Sequence, residues 1–239
     1  NGGKCNIHFA QDAIRVVQQL GDCAVVAIDI SSFFESLDHT LLKAAWERTL
    51  GVSRLPEDHF AVFRAITRYS YVEKEAVYER LGHYGPKRTS ANGKQINGYT
   101  TPRKEVHVQL CTGAEFRSKI LNAKPRIVET NYKPYGVPQG APLSDLLANL
   151  YMLDFDILIR DEVEAACGQY FRYSDDVLII VPGGEAEAHA WLARCAAVMP
   201  QFGAKLEIKP EKAVGHVFTR NGRVQDCERV FGTSAKNGM

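Results

Sequence analysis

The segment Tyr-Phe-Arg-Tyr-Ser-Asp-Asp-Val-Leu-Ile-Ile-Val, residues 170–181, places two adjacent acids between two apolar and aromatic runs. These runs predict two buried strands, with Asp175 and Asp176 at the turn of a hairpin. Unpaired carboxylates are costly to bury, so the fold must offset their charge. Taken alone, the pair is more typical of a solvent-facing turn, where Asp is common, and the odds change only with the stretches described below.

A third acid stands in a comparable position earlier in the chain. Residues 23–30 form a continuous apolar run that is interrupted only by Asp29, which predicts a buried strand with an acid near its end. If this strand neighbours the Asp175–Asp176 hairpin, the three carboxylates converge and repel one another. Mg²⁺ would offset that charge, because it binds one or two carboxylates together with water and substrate phosphates. Two such ions about 3.5–4 Å apart can assist an in-line phosphoryl displacement.

The remaining pattern predicts helices packed on one face of a mainly antiparallel sheet, an α+β fold like the split βαβ arrangement. The predicted helices are 8–20, ended by Gly21, 40–50, 57–69, 143–160 and 185–199, and the further strands are 106–110 and 204–208. Residues 80–103 predict a loop or hairpin, and Asn221-Gly222 predicts a hairpin turn. The predicted apolar faces are Leu41, Leu42, Ala45 and Trp46, and Leu146, Leu147, Leu150, Leu153 and Ile157.

Charge is distributed unevenly along the 239 residues. Residues 73–134 contain 12 Lys and Arg against 6 Glu, whereas the rest contains 17 basic and 22 acidic residues. Basic residues interleaved with aromatic ones suit contact with a nucleic-acid template or primer. The aromatic residues concerned are Tyr78, Tyr84, Tyr99 and Tyr132. The alternatives are a solvated loop face and an insertion with another purpose.

Several classes of protein are disfavoured. The six cysteines are scattered singly without metal-ligand spacing, which disfavours a zinc site and favours a reducing, cytoplasmic setting. No apolar run approaches the roughly 18–20 residues of a membrane span. The opening Asn-Gly-Gly-Lys does not have the pattern of a signal peptide.

Four motifs in order resemble the palm motifs of reverse transcriptases, and in particular the bacterial group II intron, retron and defence-associated types. They begin at Asp29-Ile-Ser-Ser-Phe-Phe-Glu, Gly136-Val-Pro-Gln-Gly, Arg172-Tyr-Ser-Asp-Asp and Gly203-Ala-Lys-Leu-Glu-Ile-Lys-Pro-Glu-Lys. Together they run from about residue 23 to about residue 232. The resemblance implies an RNA-directed DNA polymerase, a nucleotidyltransferase that adds dNTPs to the 3′-hydroxyl of a DNA or RNA primer on an RNA template.

The resemblance also implies roles for individual residues. The metal ligands would be Asp29, Asp175, Asp176 and the Ile30 carbonyl, holding two Mg²⁺ ions with Mn²⁺ as an alternative, and Lys212 would donate a proton to pyrophosphate. The nucleotide would be bound by Ser31, Ser32, Phe33, Phe34, Gln139 and Gly140. An aromatic ring at Phe34 leaves no room for a ribose 2′-hydroxyl, so it would select deoxynucleotides. The primer grip would include Phe231 and Gly232.

The resemblance further predicts the domain organisation. Residues 23–50 and 136–239 would form the palm, and residues 1–22 and 51–135 would form partial fingers with a basic insertion. No helical thumb is predicted after residue 232, so further fingers, thumb or accessory segments are expected partners.

Departures from the family pattern favour a defence-associated type. Ser31-Ser32 stands where intron-type enzymes usually carry Lys-Gly, and Asp145 stands where they carry Pro. Untemplated or protein-primed DNA synthesis in antiviral defence, and a catalytically idle RNA-binding scaffold, are the alternative functions.

Overall fold

In this computed structural model the described residues are 6–89, 92–101 and 109–232. The helices are α1 (Asn6–Leu20), α2 (Phe33–Ser36), α3 (His39–Leu50), α4 (Glu57–Thr67), α5 (Lys74–Arg80), α6 (Gly113–Glu115), α7 (Pro142–Tyr151), α8 (Leu153–Ala165) and α9 (Glu185–Val198). The strands are β1 (Cys23–Ser31), β2 (Ser70–Tyr71), β3 (Tyr84–Thr89), β4 (Gln95–Tyr99), β5 (Glu129–Thr130), β6 (Gln169–Tyr173), β7 (Asp176–Pro182), β8 (Glu207–Ile208), β9 (Val214–Asn221) and β10 (Val224–Phe231).

The chain divides into two compact units. The first comprises Asn1–Thr67 and Pro134–Met239, and the second comprises Arg68–Lys133. In the part of the chain that the structure describes, no helix combines the length and apolar character that a membrane crossing needs.

The first unit is built on an antiparallel sheet with the strand order β10-β9-β1-β7-β6, and β8 pairs with the end of β1. Side chains alternate between the two faces of a strand. One face of β1 and β7 therefore packs with α7, α8 and α9 in the main core. The predicted α+β class with an antiparallel sheet is confirmed. The opposite face is not bare, because Ala13 and Val17 of α1 pack against Cys23 and Ile180.

The predicted helix 143–160 is wrong in its continuity and in its buried face. The structure has two helices, α7 and α8, with a break at Met152. Of the predicted stripe Leu147 is fully buried, whereas Leu146, Leu153 and Ile157 are exposed and Leu150 is half-buried. The buried residues of α8 are Phe155, Ile159 and Val163, which continue the four-residue spacing of buried Leu147 and Tyr151 in α7.

Smaller corrections concern three other segments. Leu41 is exposed, so the buried face of α3 consists of Leu42, Ala45 and Trp46. Residues 106–108 of the predicted strand 106–110 lie outside the described residues, and Gln109 and Leu110 belong to no strand. Residues 204–206 do not extend β8.

The second unit contains two short antiparallel pairs, β3–β4 and β2–β5, together with α5 and α6. The β3–β4 pair confirms that the Gly-rich segment forms a hairpin. An aromatic cluster joins it to α5, since the ring centroids of Tyr78 and Tyr84 lie 5.5 Å and 5.4 Å from that of Tyr99. Lys74 Nζ lies 5.7 Å and 5.6 Å from the Tyr78 and Tyr99 centroids, within the range of cation–π attraction.

Candidate active site

The sheet register brings the predicted acids together. In the β1–β7 ladder Asp29 is the direct partner of Asp176, and Asp175 precedes Asp176 at the turn. The Ile30 N–H also donates a hydrogen bond of 3.1 Å to the Asp175 carbonyl. By alternation, Asp29 and Asp176 lie on the sheet face opposite to α7–α9. Three carboxylates therefore meet at one end of the sheet, and two of them, Asp29 and Asp176, lie on the face that the main core does not cover.

The charge at this end of the sheet is only partly compensated. Burial raises the pKa of Asp176 above its ordinary value of 3.8, and the negative charges of Asp175 and Asp29 raise it further. Lys212 Nζ lies 3.5 Å from Asp29 Oδ2, and both side chains remain substantially exposed to solvent. Among the described residues, one ammonium group thus lies beside three acids. The negative charge that remains uncompensated favours the binding of further cations.

This donor set fits hard divalent cations. In the described part of the chain no three His, Cys, Asp or Glu side chains form a ready-made metal cage. Mg²⁺ does not require one, because it retains several waters and uses one or two carboxylates plus substrate phosphates. The cross-strand pair Asp29–Asp176 with adjacent Asp175 supplies oxygen ligands of the required kind.

A cleft of about 430 Å³ adjoins the acids. Its lining contains the predicted residues Phe34, Gln139, Gly140, Asp175 and Asp176, together with Asp145, Asn149, Arg172, Tyr173 and Ser174. Phe33 is not part of this lining. It is 2% exposed and packs edge-on against Phe34 with a centroid distance of 5.3 Å. The cleft thus brings together three of the six predicted nucleotide-binding residues, Phe34, Gln139 and Gly140, whereas Ser31 and Ser32 are not part of its lining and Phe33 lies in the core.

Backbone hydrogen bonds hold the two sides of the cleft together. The Val137 N–H donates to the Phe34 carbonyl, and the Gly136 N–H donates to the Leu37 carbonyl, each at 2.8 Å. Gly136 has φ +92°, and a Cβ atom there would lie 3.2 Å from the Glu35 carbonyl oxygen. A glycine is required at this close approach, which explains why the Gly-Val-Pro-Gln-Gly segment begins with one.

The Ser31–Ser32 turn joins β1 to α2. Ser32 has a left-handed conformation with φ 48°. Ser31 is 7% exposed, and its Oγ atom has no hydrogen-bond partner among the described residues. By alternation Ser31 lies on the same face of β1 as Asp29, so its hydroxyl is an unsatisfied polar group close to the acids. The nucleotide-binding role of this turn stays a prediction.

The predicted primer-grip residues lie at the end of β10. The ring of Phe231 packs over Gly215, and its centroid lies 4.8 Å from that of His189. Gly232 follows with φ +94°. The small residue in β9 and the aromatic residue in β10 therefore form a matched pair, and the primer-binding role stays a prediction.

The comparison of sequences decides the family. Residues 94–225, more than half of the chain, match the family model described as "Reverse transcriptase (RNA-dependent DNA polymerase)". The chain belongs to the reverse transcriptase family. The comparison with curated protein sequences gave no match.

Solved telomerase structures are similar to this reverse transcriptase chain. Apo telomerase from Candida tropicalis, truncated from its C-terminal domain, has a TM-score of 0.45 and 10% identity, covering 97% of this chain and 36% of that chain. Telomerase from Candida albicans, in complex with the TWJ fragment of telomeric RNA, has a TM-score of 0.47 and 14% identity, covering 88% of this chain and 31% of that chain. The reverse transcriptase chain thus spans about a third of the length of these telomerases.

Sequence reasoning missed a polar network that supports this reverse transcriptase site. Arg172 makes a double hydrogen bond to Asp156, with Nε–Oδ1 2.7 Å and Nη2–Oδ2 2.6 Å. Tyr170 Oη also donates to Asp156, at 2.7 Å. The available signal was a basic residue in an apolar strand three positions before the first acid, since a buried cation requires an anionic partner.

Proposed function

We propose that this chain is the palm and part of the fingers of an RNA-directed DNA polymerase. It would add dNTPs to the 3′-hydroxyl of a DNA or RNA primer on an RNA template. The observation that carries the proposal is the pairing of Asp29 with Asp176, beside Asp175, at the edge of a cleft lined by Phe34 and Gln139. This arrangement joins an acidic centre to a space for a nucleotide, as polymerisation requires.

In the proposed reaction the primer 3′-oxygen attacks the α-phosphate of the dNTP, and the bond from that phosphorus to the bridging oxygen of pyrophosphate breaks. Asp29, Asp175, Asp176 and the Ile30 carbonyl would hold the metal ions. Two Mg²⁺ ions, or Mn²⁺ in their place, supply stabilisation of the charge on the attacking and leaving oxygens when bound. Lys212, 3.5 Å from Asp29, is positioned near enough to this centre to protonate the departing pyrophosphate.

The nucleotide would occupy the cleft. Phe34 would lie against the sugar and exclude a 2′-hydroxyl, while Gln139 and Gly140 would contact the nascent base pair from the other side. The Ser31–Phe34 turn, including Ser32 and Phe33, would present backbone N–H groups to the triphosphate. Phe231 and Gly232 would hold the primer 3′ end.

The domain assignment belongs to the same proposal. Residues 23–50 and 136–239 would be the palm, and residues 1–22 and 51–135 would be partial fingers with the basic insertion. Further fingers, thumb or accessory segments would complete the polymerase. The RNA template would contact the second unit, where exposed Lys87 and Arg88 of β3 adjoin the Tyr84–Tyr99 cluster.

The finer assignment is to a bacterial reverse transcriptase of the defence-associated type. Ser31-Ser32 and Asp145 support it as departures from the intron-type pattern. The described cysteines, which are Cys23, Cys111, Cys167, Cys195 and Cys227, are free thiols and agree with a cytoplasmic setting. Sequencing the products made with and without added template would separate templated from untemplated synthesis.

Primer extension on an RNA template tests the central proposal. The reaction contains Mg²⁺ and dNTPs, and it compares the native chain with Asp175→Asn. We expect template-dependent extension that the substitution abolishes, with no fall in the thermal unfolding midpoint. Asp226→Asn is the matched control, since Asp226 is an exposed acid on β10 away from the cleft lining. Retained activity in Asp175→Asn would sink the metal assignment.

A further inference from the structure

Arg172 is a buried cation whose hydrogen bonds reach beyond its ionic partner. Its side chain is 6% exposed and is paired with Asp156 through Nε and Nη2, which form one edge of the guanidinium. The remaining nitrogen, Nη1, donates to the Ser174 carbonyl at 2.8 Å and to Asn149 Oδ1 at 3.1 Å. One guanidinium therefore connects β6, the acidic turn, α7 and α8.

The Ser174 carbonyl belongs to the residue whose backbone conformation orients the following acids. Ser174 has φ 56°, in the left-handed region that residues with a Cβ atom rarely adopt. The turn is only two residues long, because β6 ends at Tyr173 and β7 begins at Asp176. The conformation at Ser174 therefore determines where the Asp175 carboxylate lies relative to Asp176.

Both carbonyls of this turn are fixed from outside it. The Ile30 N–H holds the Asp175 carbonyl, and Arg172 holds the Ser174 carbonyl. Arg172 is itself fixed, because double hydrogen bonds between guanidinium and carboxylate restrict both direction and distance. Asp156 is fixed in turn by the Tyr170 hydroxyl at 2.7 Å.

We propose that Arg172, fixed by Asp156, is a positioning residue that holds Ser174 in its left-handed conformation and so places Asp175 and Asp176 to bind metal. The proposal rests on the proposed metal-binding function of these acids. Although Arg172 lines the cleft, it would act on the metal site through the Ser174 backbone and not as a metal ligand. Its role would be to fix the backbone that carries the ligands, as groups behind metal ligands commonly do.

Mn²⁺ binding, followed by electron paramagnetic resonance with the metal alone, tests the proposal independently of catalysis. Arg172→Lys retains the charge but cannot bond Asp156 twice and reach Ser174 as well. The paired variant Arg172→Gln with Asp156→Asn leaves no unpaired buried charge. In both we expect the dissociation constant for Mn²⁺ to rise by about 10–100-fold, with faster amide hydrogen exchange at residues 174–176.

A second substitution tests the route through Ser174. Glycine adopts the left-handed region readily, so adding Ser174→Gly to Arg172→Lys should recover much of the lost Mn²⁺ affinity. If Ser174→Gly does not restore the Mn²⁺ affinity lost in Arg172→Lys, Arg172 does not act through the conformation of this turn. Unaltered affinity and exchange in folded Arg172 variants would overturn the positioning role itself.

Two controls separate the possible failures. Arg194 also makes a double hydrogen bond to a carboxylate of α8, that of Glu162, but neither residue lines the cleft. Its paired variant, Arg194→Gln with Glu162→Gln, should bind Mn²⁺ like the native chain. Asp175→Asn should bind it weakly. Equal binding by Asp175→Asn and the native chain would instead contradict the proposed metal site.

Discussion

At the residue scale, Phe33 and Phe34 are adjacent aromatic residues with different surroundings. Both are buried and their rings meet edge to face, but Phe34 lines the cleft and Phe33 does not. Substituting Phe33 should therefore remove core packing alone, whereas substituting Phe34 should also remove a contact in the cleft. A change of nucleotide selectivity can be assigned to one ring by substituting each in turn.

Phe34→Ala should reduce the preference for dNTPs over rNTPs. Enlarging a binding pocket by a small group typically changes the discrimination between two substrates by about 10–200-fold. We expect the preference for dNTPs over rNTPs to fall by a factor within that range. Phe33→Ala should lower the free energy of unfolding by about 3–5 kcal/mol, the typical cost of truncating a buried Phe. It should leave the selectivity for dNTPs unchanged. Single-nucleotide incorporation with dNTP and rNTP measures both variants. Equal selectivity in Phe34→Ala and native protein would remove the gating role.

Asp176 should make stability depend on pH. Its pKa in the folded protein is raised from 3.8 by burial and by Asp175 and Asp29. The folded state therefore holds this proton more tightly than the unfolded state. The stabilisation is complete below about pH 3.8 and is lost as the pH rises through the higher folded-state pKa.

Asp176→Asn removes this charge and should unfold at a higher temperature than the native protein at pH 7. The difference should shrink towards pH 3.8, where Asp176 is protonated in both states. Thermal unfolding across this pH range, without divalent ions, measures the effect, with Asp226→Asn as the control. A lower midpoint for Asp176→Asn at pH 7 would contradict the repulsion among the three acids.

At the scale of elements, the sequence predicted those with strong local patterns and missed those decided by packing. The apolar run of β1 identified a buried strand, and Asn221-Gly222 identified the β9–β10 turn. The break between α7 and α8 was missed because Tyr151, Met152 and Leu153 include no proline or glycine. Only the tertiary contacts of the two helices determine which residues they bury.

The β9–β10 hairpin depends on the absence of a side chain at Gly215. A Cβ atom there would lie 2.3 Å from Phe231 Cε1, so Gly215→Ala must displace the ring. We expect a loss of about 1–3 kcal/mol in unfolding free energy from overpacking and a higher KM for the primer–template. Steady-state extension at varied primer concentration measures this.

Gly113→Ala is the matched control, because a Cβ atom at Gly113 meets only Arg117 Nη1 at 3.7 Å, an ordinary van der Waals contact. It should change neither the unfolding free energy nor the primer KM appreciably. If Gly215→Ala loses stability but retains the native primer KM, Phe231 has a packing role and no part in the primer grip.

At the scale of the whole molecule, positive charge is concentrated in one segment. Between Arg80 and Thr101 there are four basic residues and no acid. If this segment of the second unit contacts RNA phosphates, its cations displace condensed counterions, and binding weakens as salt rises. The slope of log affinity against log salt concentration therefore measures the number of phosphate contacts.

Replacing Lys87, Arg88 and Lys94 together by Gln should flatten the plot of log affinity against log salt. Each lost phosphate contact on a single strand changes the slope by about 0.7, so a total change of about 2 is expected. Fluorescence anisotropy with labelled RNA between 50 and 200 mM KCl measures it. Arg160→Gln on α8 is the control, and an unchanged slope in the triple variant would exclude this segment from RNA binding.

The candidate site was predictable where its residues belong to recognisable sequence motifs and was missed where they lie outside them. Four motifs identified the acids, Phe34 and Gln139. The Arg172 network remained hidden because Asp156 and Asn149 are 16 and 23 residues from Arg172. The exact pairing of Asp29 with Asp176 was equally hidden, since strand register depends on packing across the whole sheet.

That pairing has a consequence for how such chains can change in length. Because side chains alternate, adding or deleting one residue within β1 or β7 would turn an acid to the opposite face and separate the pair. Residues added within Arg68–Lys133 would not alter this register, since none of the paired positions lies there. Natural variation in length should therefore accumulate in this segment and be rare within the two strands, so that the second unit can change in size while the arrangement of the acids stays fixed.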